Sequence, residues 1–453
     1  MIQAVQANIF KLINRGHERS VKAKKNILKS VLLKGGSLAI SFLLMPLTIS
    51  YVNPTQYGIW LTLSSFIIWA GFFDLGMGNG LKNKLAEAIT IGDFSKARSY
   101  VSTAYLMLVI VAFLIFVAFC IVNPFINWQR IFNVHSSTYP NLSHLVFLTI
   151  CFFCIQFVVQ LINTVLTANH EPAKAAVINL VGQVITLVSI VVLMKLKTGS
   201  LTDLVIIMAG LPLLALIAGS IWFYKGNYNH IAPRISSLNF KYAKSLLFTG
   251  SAFFIIQIGA LVLYETDNIV ITQLFGPAKV TTFNAAYKLF SVILMFFLIV
   301  ITPFWSAFTE AYTKGDHQWI KNTLTSIKKI WLVLSLCTVL LLVVSPWLYT
   351  LWLGKALSVP LSLSISMCIY TIVSIWQTIH VYLLNGTGKI KLQLYLVTIS
   401  AVVNIPLAII LGRWFGLAGV TMANTILFIL MSTVFYIQTN KIINKTASGI
   451  FNA

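Results

Sequence analysis

Apolar positions occur in long unbroken runs from Leu32 to Gln438, with polar residues gathered in short stretches between them. The runs do not alternate, so they read as helices rather than as strands of a membrane barrel. Most reach the ~20 residues that carry a helix across a hydrocarbon core about 30 Å thick. Twelve spans are predicted, at approximately 31–52, 59–81, 100–122, 145–168, 176–196, 204–224, 246–271, 287–312, 331–353, 361–386, 394–415 and 420–439. The pattern predicts an all-α polytopic membrane protein.

Self-comparison divides the chain. Glu87-Ala88-x-x-x-Gly92-Asp93 recurs as Glu310-Ala311-x-x-x-Gly315-Asp316, an offset of 223, and Pro54 recurs as Pro277 at the same offset. With six spans per half, the copies have parallel topology, which predicts two six-helix lobes related by a pseudo-two-fold axis along the membrane normal. The expected boundaries are a cytoplasmic basic N-terminal segment 1–29, an N-lobe 30–224, an inter-lobe linker 225–245, a C-lobe 246–439 and a tail 440–453. The repeated carboxylates lie where spans reach the cytoplasm. They read as an elbow, with Gly92 and Gly315 ending one helix and Asp93 and Asp316 capping the next.

Composition sharpens the picture. Of 453 residues, 58% are apolar and 9% charged, where soluble domains carry about 25% charged. The net charge of +22 would by itself suggest a nucleic-acid partner, but the placement of the basic residues argues against one. With the N-terminus inside, 24 of the 32 lie on cytoplasmic segments, seven face outside, and Lys34 falls within the first span. This positive-inside asymmetry puts both termini in the cytoplasm. The first 29 residues are basic and lack a cleavable apolar core, so no signal peptide is expected. Ile2, Val5, Ile9 and Leu12 share one helical face, which predicts an interfacial helix held by anionic membrane lipids.

The five cysteines fall within spans, and Cys151 and Cys154 have no second pair or histidine cluster beside them, so no metal or other cofactor is expected. The glycines of Asp74-Leu75-Gly76-Met77-Gly78-Asn79-Gly80 lack a phosphate-loop pattern. The informative residues are polar ones at bilayer depth, which are costly there and mark pathways or packing contacts. Lys34 and Lys288 (the latter at the start of the eighth span) are candidate substrate ligands. Gln156, Gln160 and Asn163 in the fourth span, with Gln377 and His380 in the tenth, form stripes at helical spacing and are candidate cavity residues. Asp74, Glu265 and Asp267 are candidates for gating or ion coupling. Asp267 is expected near the depth of Lys288, as an ion pair or as its regulator. No catalytic constellation is visible.

Several motifs add up to a family resemblance. Leu47-Thr48-Ile49-Ser50-Tyr51-Val52-Asn53-Pro54-Thr55-Gln56-Tyr57-Gly58-Ile59-Trp60 and Phe73-Asp74-Leu75-Gly76-Met77-Gly78-Asn79-Gly80 resemble the polysaccharide transporter family. So do Gly276-Pro277 with Phe283-Asn284-Ala285-Ala286-Tyr287-Lys288-Leu289, and Leu384-Asn385-Gly386-Thr387-Gly388-Lys389 with Asn404 and Gly416-Leu417-Ala418-Gly419. These are O-antigen and related lipid-linked oligosaccharide flippases of the multidrug/oligosaccharidyl-lipid/polysaccharide exporter superfamily. The resemblance implies a bacterial inner-membrane protein with a central cationic cavity. It also implies transfer of an undecaprenyl-pyrophosphate-linked sugar unit to the periplasmic leaflet by alternating access, in company with a polysaccharide polymerase and chain-length machinery. The family's basic position early in the eighth span maps onto Lys288.

Two other readings are carried forward. A drug/cation antiporter of the multidrug-extrusion branch shares the architecture, but few acids and several buried lysines disfavour a cationic substrate. A membrane-embedded polysaccharide polymerase or glycosyltransferase would need a sizeable water-facing loop, and segment 123–144 offers only Arg130 and two histidines. The chain is therefore expected to be a transporter and not an enzyme.

Overall fold

In hydrocarbon every backbone amide must find its partner inside the segment, so each apolar run closes into a helix. The structure is a computed structural model that describes residues 18–71, 77–135, 139, 141–169, 171–196, 198–243, 251–354 and 357–452. The described residues form helices and connecting turns without a strand. The N-terminal amphipathic face at Ile2–Leu12 and the candidate Asp74 lie outside them.

Among the described residues, fifteen helices of eight or more residues carry the fold. They are α1 (Glu18–Val52), α2 (Pro54–Gly71), α3 (Met77–Thr90), α4 (Phe94–Val122), α5 (Leu142–Val159), α6 (Leu161–Ala168), α7 (Pro172–Leu196), α8 (Leu201–Lys225), α9 (Ser251–Phe275), α10 (Pro277–Ile301), α11 (Phe304–Thr313), α12 (His317–Leu353), α13 (Leu361–Thr387), α14 (Lys391–Phe415) and α15 (Leu417–Ile443). Among the described residues ten segments are long and apolar enough to cross a membrane, so the chain is a multi-pass membrane protein. Of the expected second span, 59–71 lie in α2 and 77–81 already belong to α3, and the expected seventh span is occupied from Ser251 by α9.

The chain divides into two compact units. The first contains α1 and α3 to α8, and the second contains α2 and α9 to α15. In the first, α1 packs on α7, α7 on α8, and α3 on α4 and α6. The chain after α8 folds back onto α4. There Arg234 N donates to Ser102 Oγ at 3.0 Å and Asn239 N donates to Thr103 Oγ1 at 3.2 Å, while the Tyr228 hydroxyl donates to Glu171, just before α7. In the second unit α13 is central, packing on α10, α11, α12 and α15, while α2 lies along α10.

The repeated elbow has the same construction in both copies. Gly92 and Gly315 take φ of +78° and +72°, which a side chain would strain. Asp93 N and Asp316 N reach back six residues, inclusive, to Ala88 O and Ala311 O at 3.0 and 2.9 Å, closing a Schellman turn. The aspartate side chains then accept from Lys96 N at 2.9 Å and Trp319 N at 3.0 Å, capping α4 and α12. The sequence reading of these carboxylates as structural is borne out. Pro54 and Pro277 likewise match, each as the first residue of its helix, where the missing N–H has no partner to lose.

Two departures from the expected spans involve candidate residues. The fourth is broken at Gln160 into α5 and α6. The eighth begins at Pro277, ten residues before the expected start, because the polar-looking turns Pro277–Tyr287 are already helical. Lys288 therefore sits about 17 Å along α10, near mid-helix and not at its mouth.

A polar cavity among alpha2, alpha9, alpha10, alpha13 and alpha15

Within the second unit, five helices turn polar side chains towards one another. The partly open cavity between them has a volume of about 250 Å3. Ser64 and Ser65 enter from α2, Glu265, Asp267 and Asn268 from α9, Asn284 and Tyr287 from α10, Tyr370 from α13, and Thr421 and Asn424 from α15. Phe283 and Met367 supply apolar wall. Spacing explains the convergence, since Asn284 and Tyr287 lie three apart on one face, as do Thr421 and Asn424.

Two hydrogen-bond chains hold this lining. In the first, Thr266 Oγ1 donates to Asn404 Oδ1 at 3.2 Å, Asn404 Nδ2 donates to Asn424 Oδ1 at 2.5 Å, and Asn424 Nδ2 donates to Asp267 Oδ2 at 2.7 Å. In the second, Asn284 Nδ2 donates to Asn268 Oδ1 at 2.7 Å, and Asn268 Nδ2 donates to Ser65 Oγ at 2.7 Å. The first crosses α9, α14 and α15, and the second crosses α10, α9 and α2. Asp267 is 5% exposed, and its second oxygen, Oδ1, accepts no hydrogen bond among the described residues. Glu265 is half-buried on the same wall, beside Ser65. The cavity thus offers carboxylate and carbonyl acceptors, amide and hydroxyl donors, and the faces of Tyr370 and Phe283. That is the complement of a polyhydroxylated ring, whose hydroxyls need acceptors and whose C–H faces rest on aromatic rings. Two carboxylates could equally attract a cation.

α2 and α10 meet closely above this site. A Cβ added to Gly58 would stand 1.8 Å from Pro277 O, and Thr281 Oγ1 donates to Pro54 O at 2.6 Å. Thr62 and Thr272 share a hydrogen bond of 2.7 Å between α2 and α9.

Of the candidates read from sequence, Glu265 and Asp267 line the cavity together. Lys288 is the residue after the wall residue Tyr287 but does not itself form the wall. Gln377 and His380 do not line it either. Gln377 Nε2 contacts Met431 Sδ at 3.9 Å and His380 Nδ1 pairs with Thr439 Oγ1 at 3.0 Å, so both pack against α15. In the first unit, Lys34 is exposed near the start of the apolar part of α1. Gln156, Gln160 and Asn163 are half-buried around the break between α5 and α6, with Asn163 Oδ1 buried and without a partner among the described residues. Sequence reading missed Ser65, Asn268, Asn284 and Asn424 as cavity residues. Each is a polar group at bilayer depth, the signal used for the others, but none belongs to a long stripe.

Comparison with known proteins gives consistent relationships. A family model described as "Polysaccharide biosynthesis protein" matches residues 23–309, and a model described as MatE matches residues 253–410. A Salmonella typhimurium protein named "Putative O-antigen transporter" is 22% identical over 92% of this chain and 94% of its own length. A protein of the same name from Salmonella typhi is 19% identical, over 88% of this chain and 90% of its own length. A solved structure of an inward-facing multidrug resistance MATE family transporter of the MOP superfamily superposes with a TM-score of 0.74 at 15% identity, covering 91% of this chain and 96% of that one. An outward-facing multidrug resistance MATE family transporter gives 0.66 at 15% identity, covering 94% and 96%. At these identities the two structures speak for the fold alone.

Proposed function

The chain belongs to the polysaccharide biosynthesis protein family, and from that premise we propose that it is a flippase for a lipid-linked oligosaccharide. Its substrate in this reading is an undecaprenyl-pyrophosphate-linked repeat unit, carried from the cytoplasmic to the periplasmic leaflet of a bacterial inner membrane by alternating access. The observation that carries the proposal is the hydrogen-bonding cavity lined by Asp267, Glu265, Asn268, Asn284 and Asn424 among membrane-crossing helices. A sugar and pyrophosphate head is too polar to cross hydrocarbon unaided, and such a lining replaces its water. The polyprenyl tail stays in lipid.

Roles follow from chemistry. The amides and carboxylates around Asp267 engage sugar hydroxyls. Lys288, at mid-helix beside the cavity wall, is assigned to the pyrophosphate charge. Asp267, with one oxygen held by Asn424 and the other unpartnered, is assigned to ion coupling together with Glu265. Lys34, Gln156, Gln160 and Asn163 remain candidate substrate contacts, and Asp74 a candidate gate. No bond is made or broken, and the polymerase and chain-length machinery act downstream on the delivered unit.

One observation favours a second reading. Two carboxylates share the cavity, which suits a cationic drug, and the solved relatives by fold are named as multidrug transporters. Deleting the gene in its own host separates the two. The flippase reading expects lipid-linked units to accumulate on the cytoplasmic side. The antiporter reading expects normal units and heightened sensitivity to cationic toxins.

A further inference from the structure

A second cluster lies in the same unit, on different faces of the helices. Trp331 on α12, Trp376 on α13 and Tyr436 on α15 form an aromatic box, with Trp331 and Trp376 ring centroids 4.9 Å apart. Lys328 reaches into it, its Nζ 5.4 Å from the Trp376 centroid and 5.0 Å from that of Tyr436. Lys328 is half-buried and forms no ion pair among the described residues. The acids of this unit are engaged elsewhere: Glu310 pairs with Lys314, Asp316 caps α12, and Glu265 and Asp267 line the cavity.

The floor of the box is polar. His380 packs edge-on to Trp376 and Tyr436, with centroids at 5.0 and 5.6 Å. It is 1% exposed, and its Nε2 has no hydrogen-bond partner among the described residues. Trp331 Nε1 is already used, donating to Ile372 O at 3.0 Å. The Tyr436 hydroxyl makes no hydrogen bond among the described residues, and Tyr436 is 39% exposed. A bare hydrocarbon chain would leave these polar groups unsatisfied at a cost.

Depth selects the occupant. Lys328 lies 25 residues before Leu353, about 37 Å along α12, beyond a hydrocarbon core of about 30 Å. Tyr436 lies 19 residues into α15 from Leu417, about 28 Å, level with the edge of that core. Trp and Tyr rings at this level are ordinary interfacial anchors. Deeper along the same outer faces, Leu332, Leu336 and Ile429 are 63%, 61% and 45% exposed, an apolar track for an acyl chain. Lys321, Lys329 and Lys441 lie at the same end of the unit, which is the cytoplasmic end by the charge rule.

We propose that Lys328, Trp376 and Tyr436 form a binding site for the headgroup phosphate of an anionic phospholipid in the leaflet at the lysine-rich end of this unit. The Lys328 ammonium supplies the charge, held ready over two ring faces, and the Tyr436 hydroxyl donates the second hydrogen bond. An acyl chain lies along Leu332 and Leu336. The site is separate from the cavity and does not rest on the flippase reading.

The test is native mass spectrometry of the purified full-length protein titrated with phosphatidylglycerol or with phosphatidylcholine of the same acyl chains. Wild type should bind a first phosphatidylglycerol more tightly than phosphatidylcholine. Lys328→Gln should weaken it about five-fold, the worth of one lysine at an anionic surface, while Lys328→Arg should not. Lys329→Gln removes the same charge from the exposed neighbouring position and should leave binding unchanged. If Lys328→Gln does not fold, Tyr436→Phe keeps the ring and should still weaken binding roughly two- to ten-fold through the lost hydrogen bond. Equal binding of the two lipids, equal loss in Lys329→Gln, or full binding by Lys328→Gln or Tyr436→Phe would overturn the assignment.

Discussion

Asn424 is the keystone of the first hydrogen-bond chain, and its replacement gives a quantitative test of the cavity. The side chain is 3% exposed, accepts from Asn404 Nδ2 at 2.5 Å and donates to Asp267 Oδ2 at 2.7 Å. Asn424→Leu keeps the bulk and removes both bonds. Interhelical hydrogen bonds in membrane proteins average ~0.6 kcal/mol, so two contribute ~1.2 kcal/mol. Asp267 then has neither oxygen partnered, because Oδ1 already has none. An unsatisfied buried polar group costs a further ~1–3 kcal/mol. The expected loss is therefore about 2–4 kcal/mol, read from unfolding of the purified protein by SDS in mixed micelles. Asp267→Asn should behave differently. Its side-chain carbonyl still accepts from Asn424, so stability should stay within ~1 kcal/mol of wild type while export fails. A double-mutant cycle between Asn424→Leu and Asp267→Leu should give a coupling of at least ~0.5 kcal/mol. Strict additivity, or a stable Asn424→Leu, would refute the reasoning.

Three further changes separate structural from functional residues. Gly58→Ala places a Cβ 1.8 Å from Pro277 O, so α2 and α10 must part, and thermal unfolding should show a loss of about 1–3 kcal/mol. Lys288→Ala should preserve folded protein and lower export by roughly ten- to hundred-fold, as loss of a charge-assisted contact predicts. Lys288→Arg should keep much of that export, with surface polysaccharide per folded molecule as the assay. Asp93→Ala and Asp316→Ala remove the caps of α4 and α12. Each should lower stability by ~1 kcal/mol with export per folded molecule unchanged.

The chain shows its spans openly because a membrane helix needs only length and apolarity, which are local properties. The elbows at Gly92-Asp93 and Gly315-Asp316 were legible for the same reason: a positive φ calls for glycine, and a helix start takes a capping aspartate within a few residues. The depth of Lys288 was misjudged because Thr281, Thr282, Asn284 and Tyr287 look like loop residues to a hydropathy pattern. Gly276-Pro277 already marked the true helix start. The cavity was half legible. Glu265 and Asp267 stand out as carboxylates in an apolar run, but Asn424 meets Asp267 across 157 residues of chain. No periodicity on α15 announces that meeting. Likewise the Gln377 and His380 stripe is genuine on α13, but helical spacing does not say which neighbour a face will meet, and it met α15.

The central claim is translocation of a lipid-linked oligosaccharide, and the most direct measurement is its sidedness in cells that natively carry this chain. After deletion of the gene, the lipid-linked repeat unit should accumulate and be protected from a membrane-impermeant glycan probe applied to spheroplasts. Restoring wild type should expose it, and restoring Asp267→Asn should not. Accumulated units that the probe reaches without the protein would contradict the claim, because the unit would then have crossed the membrane on its own.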